Sequence, residues 1–426
     1  MLDKLKIYLK ESLKYLVRSY PFIKGRVKKI QYLYSLTPIE LDKYKEKQFI
    51  KLFQHAYDNS PFYQRFYSEA GINRDDIKTL KDITKLPIIT REIVYQNALE
   101  MLTVPKYKVI KSPTSGTSGS PLTLFHSHNS ILNEQAYIYV TRLNAGFKTG
   151  EKLVSLRGSL GKNQISMFIH LKNTLFLSSY NINENNIDHF ITKIIKFAPK
   201  AIEGYPSSLC ALAMLLKEKE IRLNIPLTFT SSETLNDFQR HLIEDRLNTH
   251  IYDLYGLTEQ TIMLMENNNH EGYYEPPGYS INEYVEDGEI CTSLINFEFP
   301  LIRYKSNDII EFSVSSDKNI SIKRILGRDE DYVICKDGSK VMRLDFLLKG
   351  IKNVKFSQII QEKIGYMKIC IVPDINYSIN DQEEILKRIY ERIGKNNIEV
   401  SFNLIKESDL IKGARNKFKY IISKIK

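Results

Sequence analysis

Residues 114–121 read Thr-Ser-Gly-Thr-Ser-Gly-Ser-Pro, and the interpretation of the whole chain starts from this stretch. It stands between residues 108–111 and 122–126, which predict two strands, the second by its alternation of apolar and polar side chains. A Walker loop, by contrast, ends in Gly-Lys-Ser/Thr and opens a helix. Glycines let successive backbone N–H groups turn inward, and the hydroxyls add donors, so the pattern indicates a phosphate-binding loop. The alternative is a flexible surface loop, where Gly and Ser are also common.

Composition indicates an ordinary globular protein with one large domain and one smaller domain. The chain has 426 residues, of which 42% are hydrophobic and 26% are charged. Its four cysteines are far apart and show neither a disulfide framework nor zinc-ligand spacing, so we expect no zinc site. No apolar run is long enough to span a membrane, and the charged N-terminus argues against a secretory signal. We therefore expect a cytoplasmic protein.

The formal net charge of +11 is concentrated in an N-terminal arm, residues 1–30. This arm holds nine basic residues against two acidic ones, and its leucines (residues 2, 5, 9, 13 and 16) predict one apolar helical face. The favoured interpretation is a helix that packs on the main domain through its leucines. The alternative is peripheral contact with an anionic membrane. No nucleic-acid-binding module accompanies the basic residues, so we expect no nucleic-acid partner.

The middle of the chain repeats one pattern three times. Short predicted strands at residues 200–203, 227–230 and 250–254 each end in a polar turn with Gly or Ser, and we expect a helix to follow each turn. This rhythm predicts a parallel sheet, whose ligands bind outside the carboxyl ends of the strands. Short β segments follow from residue 280, and the charged turn 327–331 is the best candidate boundary.

The predicted fold class is therefore α/β in two domains. The large N-terminal domain, residues 1–326, combines parallel sheets and helices with a β-rich part. The small C-terminal domain, residues 327–426, is α+β.

Five ordered motifs resemble the adenylate-forming (AMP-binding) enzymes. They are the loop TSGTSGSP, the turn YGLTE at 255–259, the segment RYKSND at 303–308, the turn GRDED at 327–331 and a lysine near the C-terminus. Four other stretches resemble the phenylacetate–CoA ligase and CapK-like branch: SPFYQRF at 60–66, LKDITKLPIITR at 80–91, GYPSSL at 204–209 and SSETL at 231–235. The resemblance covers residues 45–426 and implies the two-domain architecture of that superfamily, with the small domain on a hinge. CapK-like members are found in surface-polysaccharide pathways.

The resemblance implies an ATP site in which Tyr255 stacks on adenine, Thr258 faces the α-phosphate and Asp308 binds the ribose hydroxyls. The ATP-binding residues would be Thr114, Ser115, Gly116, Thr117, Ser118, Gly119, Ser232, Glu233, Tyr255, Gly256, Asp308 and Arg328. Glu259, with Thr117, would hold Mg²⁺. The acyl pocket would be bordered by Gly204, Tyr205, Pro206 and Ser207, and the hinge would lie at Glu330 and Asp331.

The adenylation lysine is the least regular match. The family pattern is Gly-Lys followed by an aromatic or apolar residue and Arg, whereas here Asn416 precedes Lys417 and Lys419 takes the arginine position. Asn307 and Ser306 also depart from the Gly and Thr of the family, although Asp308 is retained. The resemblance makes Lys417, Thr258 and Glu259 the candidate catalytic residues. A solvated basic tail is the alternative for Lys417.

These observations predict an ATP-dependent ligase that converts a small carboxylic acid into an acyl-adenylate with release of pyrophosphate. The acyl group would pass to a thiol, with coenzyme A as the default acceptor by resemblance. One alternative acceptor is an amine on an amino sugar or lipid-linked saccharide. An alternative of another class is a non-catalytic nucleotide-binding scaffold, against which the retained Glu259, Asp308 and Lys417 argue.

Overall fold

The computed structural model describes residues 2–18, 20–113, 122–158, 160, 164–235, 237–285, 288–306, 308–314, 320–328, 332–338, 340–342, 344, 351, 353–411 and 420–425. The chain separates into two compact units. The first comprises Met1–Leu235, Gln239–Ser306 and Ile310–Ile325, and the second comprises Asn236–Phe238, Asn307–Ile309 and Leu326–Lys426.

Ten α-helices lie among the described residues. They are α1 (Leu2–Arg18), α2 (Tyr20–Tyr34), α3 (Pro38–Asn59), α4 (Pro61–Glu69), α5 (Arg91–Asn97), α6 (His128–Asn144), α7 (Ile187–Phe197), α8 (Pro206–Glu218), α9 (Asp237–Leu247) and α10 (Ile379–Ile393). Local sequence explains the bounds of α3 and α4. Thr37 and Glu40 form a capping box at the start of α3, and Ser60 caps α4, whose first residue is Pro61.

Among the described residues, eight strands precede the β-rich part in chain order. They are β1 (Val109–Pro113), β2 (Thr123–Ser127), β3 (Leu153–Arg157), β4 (Ser166–Ile169), β5 (Thr174–Ser178), β6 (Ala201–Gly204), β7 (Leu227–Ser231) and β8 (His250–Gly256). The following strands of the β-rich part are β9 (Met263–Glu266), β10 (Tyr273–Tyr274), β11 (Ser280–Val285), β12 (Gly288–Ser293), β13 (Tyr304–Lys305), β14 (Asp308–Val314) and β15 (Ile320–Arg328).

The central feature of the first unit is a ten-stranded sheet with the order β14-β15-β10-β9-β8-β7-β6-β3-β5-β4. Its middle, from β8 to β5, is parallel, as the βα rhythm of the sequence predicts. The helix expected after the third turn is wrong, because the chain there reverses into β9, which pairs antiparallel with β8. Helices α7, α8 and α9 contribute apolar side chains to a core that also contains residues of these parallel strands. Strands β1 and β2 form a separate antiparallel pair, and β11, β12 and β13 form a three-stranded sheet. Because β6, β7 and β8 are parallel neighbours, their carboxyl ends lie side by side at one edge of the sheet.

The second unit has its own core and two sheets among its described residues. Its strands are β16 (Tyr332–Ile334), β17 (Lys340–Met342), β18 (Val354–Lys363), β19 (Tyr366–Pro373), β20 (Glu399–Leu404) and β21 (Ile421–Ser423). The four-stranded sheet has the order β20-β19-β18-β21, and β16 pairs with β17. Ile385 and Ile389 of α10 are buried in the core of this unit. This is the α+β arrangement that the sequence predicts for the C-terminal part.

The N-terminal arm forms two helices, and three leucines of the first helix are exposed. Ile7 and Tyr8 pack against a cluster that includes Ile169 and Phe176. Leu9, Leu13 and Leu16 are 57%, 64% and 46% exposed. The favoured interpretation, in which the leucines dock on the main domain, is therefore wrong for these three. The helix packs instead through the face that carries Ile7 and Tyr8.

The second helix of the arm, α2, contains Pro21, although a proline in a helix interior usually breaks the helix. Pro21 instead occupies the first turn of α2, where its missing N–H costs no hydrogen bond. Ile23, Val27 and Ile30 pack there in a cluster with residues of α6. Among the described residues, no helix combines the length and the apolar composition that crossing a bilayer requires.

Candidate active site

Three parallel strands end side by side at the site. The register pairs Gly204 of β6 with Thr230 of β7, and Ser231 of β7 with Leu254 of β8. The turns GYPSS, SSETL and YGLTE leave these strand ends one after another. The resemblance assigned these turns to the acyl pocket and the nucleotide site, and the sheet order makes them neighbours.

A cavity of about 330 Å³ opens at these strand ends. Its lining includes Gly204, Tyr205, Phe229, Ser231, Tyr252 and Leu254, together with residues of α6 and β3. Gly204 is needed for this packing, because a Cβ atom there would lie 3.1 Å from Cβ of Leu156 and 3.3 Å from Cγ of Leu209. The volume is at the small end of ligand pockets, which suits a small acid.

One wall of the cavity carries an ion pair that the sequence did not indicate. Nη2 of Arg142 lies 2.5 Å from Oε2 of Glu203, and the hydroxyl of Ser155 donates to Oε1 of Glu203 at 2.8 Å. The guanidinium also lies over the ring of Phe229, with Cζ 5.1 Å from the ring centroid. Burial opposes ionisation of Glu203, but the charges of Arg142 and Lys172 and the Ser155 hydroxyl outweigh it. The pKa of the Glu203 carboxyl is therefore lowered, and the group is charged at neutral pH.

The YGLTE turn follows β8 and presents the candidate metal ligand. Thr258 is exposed and Glu259 is half-buried, and the Tyr304 hydroxyl makes a long contact of 3.5 Å with Oε1 of Glu259. The next residue, Gln260, is buried and donates through Nε2 to Oε2 of Glu134 on α6 at 3.0 Å. Its positive φ of 58° is sparsely populated by residues other than glycine, so this side-chain anchor helps to hold the turn.

Tyr255, the residue assigned to adenine stacking, is held at its far end. Its hydroxyl donates to Oε1 of the buried Glu289 at 3.2 Å, and the Ser306 hydroxyl donates to the same oxygen. Glu289 lies on β12, so the three-stranded sheet fixes the orientation of the Tyr255 ring. A carboxylate 34 positions away gives no signal in the sequence that could have revealed this contact.

His126 is a second residue whose position the sequence did not reveal. It lies on β2, and its Nε2 is 2.8 Å from the carbonyl oxygen of Thr258. Burial lowers the pKa of His126, although the hydrogen bond to Thr258 partly opposes this shift. The imidazole is therefore neutral at physiological pH, with Nε2 as the donor. Sequence motifs for a catalytic histidine rely on a partner side chain, and the partner of His126 is a backbone carbonyl.

Ser232 and Glu233 lie directly after the cavity-lining Ser231. Ser232 is exposed and has a φ of 70°, and Oε2 of Glu233 accepts from the backbone N–H of Ser207 at 3.0 Å. Ser207 lies in the first turn of α8, where an acidic side chain is favoured by the unpaired N–H groups and the helix dipole. Glu233 thus links the SSETL turn to the GYPSS turn, in which Pro206 is buried.

The remaining predicted site residues are placed only in part. Asp308 is half-buried and opens β14, and Arg328 ends β15. The whole Gly/Ser loop from Thr114 to Gly119, the hinge residues Glu330 and Asp331, and Lys417 lie outside the described residues. Their assigned roles stay predictions.

The side-chain oxygen atoms of the YGLTE turn suit magnesium, which binds through one or two carboxylates together with substrate phosphates. Glu259 offers one partly exposed carboxylate, next to the Thr258 hydroxyl. No three His, Cys, Asp or Glu side chains among the residues that the structure describes come together as ligands for one metal ion. The four cysteines are buried thiols, and none forms a disulfide.

Comparison with known proteins identifies relatives for most of the chain. Residues 333–424 match the family model of the CapK C-terminal domain. Protein CapK of Staphylococcus aureus is 26% identical over 384 residues, 84% of this chain and 84% of that protein. Phenylacetate-coenzyme A ligase of Pseudomonas putida is 26% identical over 335 residues, 71% of this chain and 75% of that protein.

Among solved structures, 2-hydroxyisobutyryl-CoA ligase in its postadenylation state superposes with a TM-score of 0.68. The match covers 91% of this chain and 90% of that chain at 15% identity, so it speaks for the fold alone. It confirms the predicted fold class, and the homologues confirm the predicted class of enzyme, an adenylate-forming acid–thiol ligase. The predicted resemblance to CapK and the phenylacetate–CoA ligases is therefore confirmed, since the chain is similar to both along most of its length.

Proposed function

We propose that this protein activates a small carboxylic acid with ATP, forms an acyl-adenylate, and transfers the acyl group to the thiol of coenzyme A. The observation that carries the proposal is the common edge of β6, β7 and β8. A cavity large enough for a small carboxylic acid opens at this edge. The turn that bears Thr258 and Glu259 follows the neighbouring parallel strand. Homology to phenylacetate-coenzyme A ligases supports both the reaction and the acceptor.

In the first half-reaction, an oxygen of the substrate carboxylate attacks the α-phosphorus, and the bond from that phosphorus to the pyrophosphate oxygen breaks. Two anions must approach each other, so the site has to supply hydrogen-bond donors and positive charge. The hydroxyl of Thr258 is exposed for contact with the α-phosphate, and Lys417 would supply the cation. Tyr255, held by Glu289, would position the adenine.

Magnesium, when bound, would neutralise phosphate charge as a Lewis acid. Glu259 would hold it, together with phosphate oxygens and Thr117 of the Gly/Ser loop. In the second half-reaction the thiol sulfur attacks the acyl carbon, and the bond from that carbon to the AMP oxygen breaks. AMP leaves with that oxygen, and the thiol proton passes to solvent or base.

We also propose that α1 contacts an anionic membrane surface. Leu9, Leu13 and Leu16 form one exposed stripe, and Lys10 is exposed beside them. Apolar and basic side chains together favour an anionic leaflet over a neutral partner. Such a position would suit an enzyme whose acceptor is lipid-linked, the alternative acceptor to coenzyme A.

The test is pyrophosphate release from ATP by the purified full-length protein, screened over carboxylic acids with and without coenzyme A. We expect release with at least one acid and formation of its thioester when coenzyme A is present. Release without thioester formation would reject coenzyme A and direct the search to amine acceptors. ATP binding without release for every acid would overturn the proposal and favour a nucleotide-binding scaffold.

A further inference from the structure

The cavity wall is poorly matched to a purely hydrocarbon acyl group. Arg142 and Glu203 line the cavity directly, and the side chains of both are only partly covered, at 28% and 24% exposure. An apolar ligand packed against this ion pair would remove its water without replacing the lost hydrogen bonds. Such desolvation of charged groups is costly.

The pair retains hydrogen-bonding capacity toward the cavity. A guanidinium has five N–H donors, and a carboxylate has about four acceptor positions. Arg142 donates to Glu203 through Nη2, and Ser155 donates to the other oxygen of Glu203. Donor and acceptor therefore stand next to each other, and a single hydroxyl group can bind both, since it donates one hydrogen bond and accepts another.

Charge and hydrogen-bonding capacity disfavour an ammonium group or a second carboxylate at this position of the substrate. Lys172 also lines the cavity, and its Nζ lies 5.4 Å from the centroid of the Phe176 ring. An ammonium group would be repelled by Arg142 and Lys172 and cannot accept from Arg142, while a carboxylate would lie beside the charge of Glu203 and cannot donate to it. A neutral hydroxyl meets neither penalty.

We propose that the substrate is a hydroxylated carboxylic acid, whose hydroxyl group donates to Glu203 and accepts from Arg142. The inference rests on the proposed function, since it names the class of acid that this ligase activates. Arg142, Ser155 and Glu203 are then specificity-determining residues. A site built to bind a substrate hydroxyl discriminates strongly against the analogue that lacks it.

The experiment compares matched acids in the pyrophosphate-release assay: 4-hydroxyphenylacetate with phenylacetate, and 3-hydroxybutyrate with butyrate. Amino-substituted acids and dicarboxylic acids of similar size form two further arms. We expect kcat/KM to be at least about 10-fold higher for a hydroxylated acid than for its partner in at least one pair. Isothermal titration of the same acids measures binding without turnover.

The variants Glu203→Gln and Ser155→Ala should each reduce this preference at least about threefold. Glu203→Gln keeps the shape of the side chain, and Ser155→Ala leaves the ion pair in place. The matched control is Glu184→Gln, an exposed residue outside the cavity lining, which should leave the preference unchanged.

Two outcomes separate this inference from the ligase proposal. If acids release pyrophosphate but the hydroxylated members have no advantage, or the amino or dicarboxylic arm exceeds them, the inference is overturned and the ligase proposal stands. If no acid releases pyrophosphate, the ligase proposal fails, and the titrations decide. If the protein binds the hydroxylated acids more tightly than their partners and Glu203→Gln weakens this preference, the hydroxyl site is supported. Equal binding of the paired acids overturns it.

Discussion

Nε2 of His126 and the carbonyl oxygen of Thr258 lie 2.8 Å apart, which joins β2 to the YGLTE turn across 132 positions of sequence. Strand β2 directly follows the Gly/Ser loop in the chain, and the turn carries Glu259. One hydrogen bond therefore connects the strand that follows the predicted phosphate loop to the turn that carries the predicted metal ligand. His126 touches neither reacting group, so it is a positioning residue.

His126→Ala should lower kcat for adenylation about 10-fold and change KM for the acid little, because one hydrogen bond that orients the turn is lost. His126→Gln, which keeps an N–H donor of similar reach, should recover most of the activity. ATP–pyrophosphate exchange, with the melting temperature measured in parallel, checks both variants. Equal losses in the two variants, or a loss that follows the melting temperature alone, would contradict the positioning role.

Glu259→Gln should reduce pyrophosphate exchange at least about 10-fold, because a hard cation prefers a carboxylate ligand to an amide. The loss should be smaller when the magnesium concentration is raised. Glu271→Gln, an exposed residue after β9, is the control and should behave like the unaltered protein. Full exchange activity in Glu259→Gln would remove Glu259 from the metal site.

Lys417→Ala should block adenylate formation yet leave acyl transfer from a pre-formed acyl-adenylate largely intact. This split is expected if the small domain turns about Glu330 and Asp331 between the half-reactions. The control Lys424→Ala removes a lysine that pairs with Glu362 at 2.7 Å, and it should affect neither half-reaction. Equal loss in both half-reactions would mean that Lys417 is structural, and a silent variant would direct attention to Lys412 and Lys419.

Asp253 predicts a specific pH dependence of stability. Burial raises the pKa of its carboxyl to about 6, despite hydrogen bonds from Thr230 and Tyr273. The folded state therefore holds a proton that the unfolded state releases near pH 4. The resulting stabilisation is present at low pH and is lost as the pH rises from about 4 to about 6, by on the order of 3 kcal/mol.

Urea unfolding of the unaltered protein and of Asp253→Asn over this pH range checks the prediction. The difference between the two free energies of unfolding should shift in favour of Asp253→Asn as the pH rises. Asp42→Asn, at an exposed position, is the control. A difference that stays constant from pH 4 to pH 7 would show that Asp253 ionises normally in the folded protein.

The exposed leucines of α1 should determine sedimentation with anionic vesicles. Leu9→Ser combined with Leu13→Ser should weaken binding at least about 10-fold, because each leucine buried in the interface contributes on the order of 1 kcal/mol or more. Leu99→Ser combined with Leu404→Ser is the matched control, since these side chains are 58% and 56% exposed. If the two double variants and the unaltered protein sediment equally little at low salt, the membrane proposal is wrong.

The sequence by itself determined the features that depend on local pattern. Three strand–turn segments in a row predicted the parallel middle of the sheet, because short strands joined by helices pair in parallel. The ordered motifs predicted the resemblance to the adenylate-forming enzymes, because each motif is read from the residue types of one local stretch. The helix α1 was also predicted correctly, because its leucines recur three or four positions apart.

Only the tertiary structure decided which distant side chains meet. Arg142 and Glu203 are 61 positions apart, and they face one cavity because β6 stands next to β3 and α6 covers that end of the sheet. Tyr255 of β8 and Glu289 of β12 also meet only because their two sheets pack next to each other at this point. A hydrophobic period reveals that a helix has an apolar face but not what covers it, so α1 could turn its leucines outward. Sheet order, register and the competition between helix faces are long-range properties, and no local stretch of this chain carries them.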